Sequence, residues 1–176
     1  MIDFSKDYFA LFGLPRSYRF DASALDAAYR KLQSEIHPDR FASAGEAERR
    51  LALQSSARVN EAYRSLKDPV ERAQYLLSLR GVDALAETDT SLPLEFLESQ
   101  LERREAIADA VDRRDASALD AIKREVRGEA GELERALVPQ LDRETGQDDA
   151  ITTVRKLKFL SKLAADIDGA HALIED

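Results

Sequence analysis

The sequence predicts an all-α chain of two helical units, and three observations carry that expectation. Ala, Leu, Glu, Arg and Asp dominate a chain of 176 residues that is 44% apolar and 34% charged, which is a helical composition. Apolar residues recur at three- and four-residue spacings through long stretches. That periodicity lapses from Gly81 to Leu92, where turn-forming residues gather. The boundary is therefore placed there, with a first unit over residues 1–80, a linker over 81–92 and a three-helix bundle over 93–176.

Within the first unit, residues 6–12 form a short helical turn that Gly13 can close, and Leu14-Pro15 continues as extended chain. Asp21 is an N-cap for the next helix, along which Leu25, Tyr29, Leu32 and Ile36 share one face until Pro38 ends it. Ser43 and Glu46 fit a capping box opening a second long helix, whose Val59, Ala62, Tyr63 and Leu66 can meet the first. A short loop between them makes an antiparallel hairpin. Asp68 and Pro69 then start a short helix that carries Tyr75, Leu76, Leu77 and Leu79 toward Gly81.

In the second unit, helices are expected at about 93–113, 116–144 and 148–174, separated by turns at Arg113-Arg114-Asp115 and Thr145-Gly146-Gln147. Connections this short favour an up-down-up bundle. Gly128, Gly131 and Pro139 predict a kink or break in the middle helix.

Charge and composition narrow the function classes. The chain has no Cys, which removes disulfides, thiolate metal or cluster ligation and a Cys nucleophile. His37 and His171 are its only histidines, too few for a His-rich metal site, and neither a metal nor a cofactor of its own is expected. Residues 1–77 hold 12 Lys and Arg against 11 Asp and Glu, whereas 78–176 hold 14 against 23. The acidic second half argues against nucleic acid or an anionic membrane as partner and fits a protein. Without a run of ~20 apolar residues or a basic segment leading into an apolar core, a soluble cytoplasmic protein is expected.

Two constellations stand out. His37, Pro38 and Asp39 fall on the turn between the two long helices, and their chemistry admits an acid–base pair or a simple helix stop. On the 93–113 helix, Leu94, Leu97, Leu101 and Ala108 share one stripe, while Phe96, Ile107, Ala110 and Val111 share another. Glu98, Glu102 and Glu105 border the leucines. Such a helix is either packed between two neighbours or docks a partner through its leucines. Phe159 lies off the main apolar stripe of the last helix, and His171 reads as surface.

The run Ala28-Tyr29-Arg30-Lys31-Leu32 leading into His37-Pro38-Asp39-Arg40, followed by the segments 57–66 and 67–75, resembles a J-domain along its whole length. The segments 95–105 and 154–163 resemble the C-terminal domain of the HscB family, the J-type co-chaperones of iron–sulfur cluster assembly. The resemblance implies a non-enzymatic role, in which His37, Pro38 and Asp39 trigger the ATPase of a DnaK/HscA-type chaperone. It makes Arg30, Lys31 and Arg40 candidate docking cations. Glu35 departs from the pattern, standing where many J-domains carry a further cation. The resemblance also implies an IscU-type iron–sulfur scaffold bound through Leu97, Leu101, Glu102, Glu105, Asp109 and Phe159, with Glu98 at a position that relatives can fill with an apolar residue. A general J-protein serving unfolded clients would need an exposed apolar groove. An acid–base enzyme would need a buried polar cleft around His37.

Overall fold

The computed structural model describes residues 2–41, 43–86, 91–142 and 147–175, and among them every regular element is helical. The chain divides into two compact units, Met1–Arg80 and Gly81–Asp176. No helix among the described residues is long and apolar enough to cross a membrane.

The first unit opens with α1 (Tyr8–Phe12), capped by the Asp7 carboxylate and closed by Gly13, whose φ of 67° is the left-handed conformation that glycine takes without steric cost. Helix α2 (Ala22–Ile36) begins on the Asp21 side-chain cap, and α3 (Glu46–Lys67) returns beside it. The register of the pair is read from its contacts: Asp26 meets Tyr63 and Lys67, Tyr29 meets Tyr63 and Asn60, and Gln33 meets Asn60. Partners that advance on α2 as they retreat on α3 make the hairpin antiparallel. The Tyr29 and Tyr63 rings stack at 4.0 Å, and Leu25, Val59, Ala62 and Leu66 are fully buried behind them. Asp68 accepts from the Val70 and Glu71 amides, and with Pro69 at its first position it starts α4 (Pro69–Ser78).

The expected capping box does not form. Helix α3 starts at Glu46 with Gly45 as its cap and no side-chain cap bond. Ser43 lies too early because the preceding turn continues through Ala44, whose amide donates to the Phe41 carbonyl at 3.0 Å. Glu46 and Glu48 in the first turn complement the helix dipole instead.

Tyr8 gives the first unit a titratable weak point. Its ring stacks on Tyr75 at 4.2 Å, and Arg58 donates to its hydroxyl at 3.2 Å. Burial, reinforced by a hydrogen bond to Glu61, pushes the Tyr8 phenol up to about 12 from 10.0. The unfolded chain thus releases this proton first, and stability present below pH 10 is lost as pH rises toward about 12. Urea unfolding across that interval is expected to show the decline, and Tyr8→Phe to flatten part of it. An unchanged slope in the variant would refute the assignment.

The second unit contains α5 (Leu94–Asp112), α6 (Ala116–Asp142) and α7 (Asp148–Glu175). Leu119, Ile122, Val126, Leu160, Leu163 and Ile167 form its core, with Phe96 and Ala110 contributed by α5. Asp120 faces His171 and Lys123 faces Asp168, so α6 and α7 run antiparallel. The Arg103–Glu129 ion pair at 2.6 Å ties α5 to α6, and the buried Gln100 of α5 accepts from the same guanidinium at 3.1 Å. Between these helices Arg114 takes a φ of 52°, and Asp115 caps α6 by accepting from the Ala118 amide. The expected turn at 145–146 lies outside the described residues.

Helix α6 does not break at Gly128, Gly131 or Pro139. A glycine costs about 1 kcal/mol and an interior proline about 3. Each fully buried Leu, Ile or Val returns about 1.5–3 kcal/mol, and five such residues of α6 are buried. Pro139 sits one turn from the helix end in an exposed position, where the carbonyl it leaves unpaired can reach water.

Of the expected linker, residues 87–90 lie outside the described residues. Its nearer part is packed: Ala84 is fully buried, and Arg155 of α7 donates to the Ala84 carbonyl at 2.9 Å. The same guanidinium reaches Ser91 Oγ at 3.3 Å. His171, expected at the surface, is mostly enclosed between α6 and α7. Only 18% of its side chain is exposed, and its Nε2 lies 3.2 Å from Asp120 Oδ1.

Candidate functional site

Helix α2 ends at Ile36 because Pro38 follows, and His37 leaves the helix at φ −55°, ψ 129°. Pro38–Phe41 then winds into one 3-10 turn in which the Arg40 amide donates to the His37 carbonyl at 3.0 Å. The Asp39 amide donates to His37 Nδ1 at 3.3 Å, and Asp39 Oδ2 lies 3.5 Å from the same nitrogen. The two side chains are nevertheless open, His37 at 55% and Asp39 at 90% exposure. They are held near each other and presented to solvent, an arrangement suited to contact with another macromolecule.

The three expected docking cations are not equivalent. Arg30 and Lys31 stand exposed on α2. Arg40 is also exposed, yet its Nη1 donates to the Ser34 carbonyl at 2.8 Å. It thereby satisfies one of the carbonyls that a helix end leaves unpaired and braces the turn from outside. Exposed Glu35 lies between the cations and the turn, so the positive face is interrupted.

A cavity of about 50 Å³ lies beneath this turn, lined by Glu35 and Ile36 of α2, Phe41, and Glu48, Ala52 and Ser55 of α3. Neither His37 nor Asp39 lines it. Among the described residues no group of three or more His, Asp and Glu side chains could hold a metal ion.

In the second unit, α5 divides its faces sharply. Phe96 and Ala110 are buried and Ile107 and Val111 half-buried against the core. Leu94, Leu97 and Leu101 are 69%, 43% and 60% exposed on the other side. Helix α5 does pack on two neighbours, α6 and α7, and those leucines lie outside both contacts. Glu95, Glu98, Glu102, Glu105 and Asp109 recur at three- and four-residue spacings beside them and are all exposed. Asp109 pairs with Arg113 at 3.6 Å.

Phe159 of α7 joins this face at its edge. Its ring meets Phe96 at 5.7 Å in a T-shaped contact, and it is half-buried rather than free-standing. Arg104 lies over the ring, 5.3 Å from its centroid. Sequence reasoning missed Arg104, although its place three residues after Leu101 on the same stripe was a signal. It also missed Phe41, whose role emerges only from the packing beneath the turn. Leu94, the most exposed of the three leucines, was on the stripe but not among the candidate contacts.

Known proteins bring both sites together. Residues 7–75 match the DnaJ domain family, and residues 92–168 match the family described as the HSCB C-terminal oligomerisation domain. The co-chaperone protein HscB homolog of Cupriavidus taiwanensis is 51% identical over 97% of this chain and 96% of its own length. Its counterpart in Azoarcus is 43% identical over 99% of both. Among solved structures, chaperone HscB from Vibrio cholerae shares 35% identity with a TM-score of 0.81, covering 96% of this chain and 99% of its own. Human co-chaperone HscB shares 30% with a TM-score of 0.85, covering 94% and 82%. A J-domain carrying the His37-Pro38-Asp39 turn, followed by a helical unit of this matched type, places the chain in the HscB co-chaperone family.

Proposed function

We propose that the chain is a cytoplasmic co-chaperone of iron–sulfur cluster assembly, which stimulates the ATPase of a DnaK/HscA-type chaperone and delivers an IscU-type scaffold protein to it. The observation that carries the reading is the exposed Leu94, Leu97 and Leu101 stripe on a helix whose opposite face is core. An apolar stripe bordered by carboxylates is a docking surface for a folded partner with an apolar patch and basic surroundings. Leu97, Leu101 and Phe159 are its apolar contacts, and Glu102, Glu105 and Asp109 its charged border. An unfolded client would be better served by a groove than by one convex helix face.

In the first unit, His37, Pro38 and Asp39 act on the chaperone as the trigger. Asp39 can accept a bidentate hydrogen bond from a partner arginine, and proline limits the backbone freedom of the turn. Long-range steering falls to Arg30, Lys31 and Arg40, since the Arg40 hydrogen bond to the neutral Ser34 carbonyl leaves its charge in place. The chain needs no cofactor and turns over no substrate by itself.

The test is the ATPase rate of a DnaK-type chaperone with the chain alone and with an IscU-type scaffold added. Stimulation by the chain, and a further rise with scaffold, is expected. Chaperone affinity should fall from low to moderate ionic strength, because exposed charges are screened beyond about 8–10 Å. ATP hydrolysis by the chain in the chaperone's absence would revive the enzyme reading, and salt-independent docking would leave Arg30, Lys31 and Arg40 as ordinary solvated charges.

A further inference from the structure

We propose that Phe41 is the residue that positions the trigger turn, acting as an apolar seat that fixes His37 and Asp39 from below. The inference rests on the trigger reading but concerns a side chain outside the trigger itself. The turn from His37 to Phe41 is held at few points. At its entrance Ile36 is 4% exposed and anchored in the hairpin core. Outside, Arg40 holds the Ser34 carbonyl through a solvent-exposed hydrogen bond, which competes with water. At its exit Phe41 is half-buried and lines the cavity shared with Ile36, Ala52 and Ser55. The 3-10 turn packs on α3.

This seat is under-packed, which makes Phe41 more than one core residue among many. Ala52 is 3% exposed and Ser55 fully buried, and among the described residues the Ser55 hydroxyl has no hydrogen-bond partner. Protein interiors otherwise fill their space closely. Beside a small cavity with a polar wall, Phe41 is the large apolar side chain of the turn, among the described residues, that lines the space shared with α3. Removing it would leave the turn tethered by Arg40 and by its own backbone bonds. Two of those report on the seat directly: Arg40 N–H to His37 O and Ala44 N–H to Phe41 O, both 3.0 Å.

Three proteins test this: the full chain, Phe41→Ala, and Phe41→Leu as the conservative variant. Each is measured for stimulation of a DnaK-type chaperone over a concentration series, and for amide hydrogen exchange at Arg40 and Ala44. In Phe41→Ala the maximal stimulation should fall about tenfold with the half-saturating concentration nearly unchanged, as misplacing a reacting group does without removing a binding contact. Exchange at Arg40 and Ala44 should quicken while the α2 and α3 interiors stay protected. Phe41→Leu should recover most of both. Stimulation equal to the parent, or unchanged exchange at both amides, overturns the proposal. So does a rise in half-saturating concentration at constant exchange, which would make Phe41 a contact for the chaperone. If the parent chain stimulates no DnaK-type chaperone, the trigger reading fails on its own, and the exchange arm still decides whether Phe41 seats the turn. If Phe41→Ala does not fold, Phe41→Val carries the comparison, with a smaller loss of maximal stimulation and the same quickened exchange expected, and parent-like values of both overturning the proposal.

Discussion

His37→Gln is expected to abolish stimulation of the partner ATPase while leaving the melting temperature almost unchanged. The side chain is 55% exposed and buries nothing in the hairpin core, so substitution at this turn belongs among surface changes worth about 0.5 kcal/mol or less. The backbone bond from the Arg40 amide to the His37 carbonyl does not depend on the side chain. What disappears is the ring whose Nδ1 meets the Asp39 amide, together with the ring surface offered to the partner. ATPase assays with parent and variant, beside a thermal melt of each, decide the matter. Full stimulation by His37→Gln would sink the trigger assignment.

The second large effect concerns α5. Truncating Leu97, Leu101 and Phe159 together to Ala should weaken scaffold binding by several kcal/mol, at roughly 1–2 kcal/mol for each apolar side chain covered in the complex. Their exposures separate binding from stability. Leu97 and Leu101 are 43% and 60% exposed, so the double variant should melt close to the parent. Phe159 is half-buried against Phe96 and carries part of the core. Its truncation adds a stability loss below the about 3–5 kcal/mol of a fully buried phenylalanine. A double variant that stays folded and no longer captures the scaffold supports the site, whereas one that binds as tightly as the parent removes it. Chaperone stimulation in the absence of scaffold should survive in both variants.

Much of the architecture was legible because it follows from local rules. The Leu25, Tyr29, Leu32 and Ile36 spacing gave the face of α2, and Asp68-Pro69 gave the start of α4 to the residue. Local rules failed where packing overrode them. Three helix-weakening residues in α6 counted for less than its buried face, and Ser43 lost its capping role to a turn that ran two residues further. His171 looked like a surface residue because nothing in its own neighbourhood announces Asp120, some fifty positions earlier. The two-faced pattern of α5 was visible in the sequence, but which face was core was not. Phe96 decided that by packing on Phe159, a contact between residues far apart in the chain. Arg40 shows the same limit: its charge was plain, its engagement with Ser34 was not.

The carboxylate row beside the leucines also bears on what this face would turn away. Three exposed leucines in succession are a standing invitation to self-adhesion, since any apolar surface will pair with its own copy when nothing opposes it. An antiparallel two-fold pairing of copies through α5 would lay Glu95, Glu98, Glu102, Glu105 and Asp109 near the same five groups of the other molecule. Like charges brought together at a drying surface cost several kcal/mol. On the proposed function the row would act as a password as well as a border: it would disfavour that pairing of identical molecules and favour a partner surface of opposite charge.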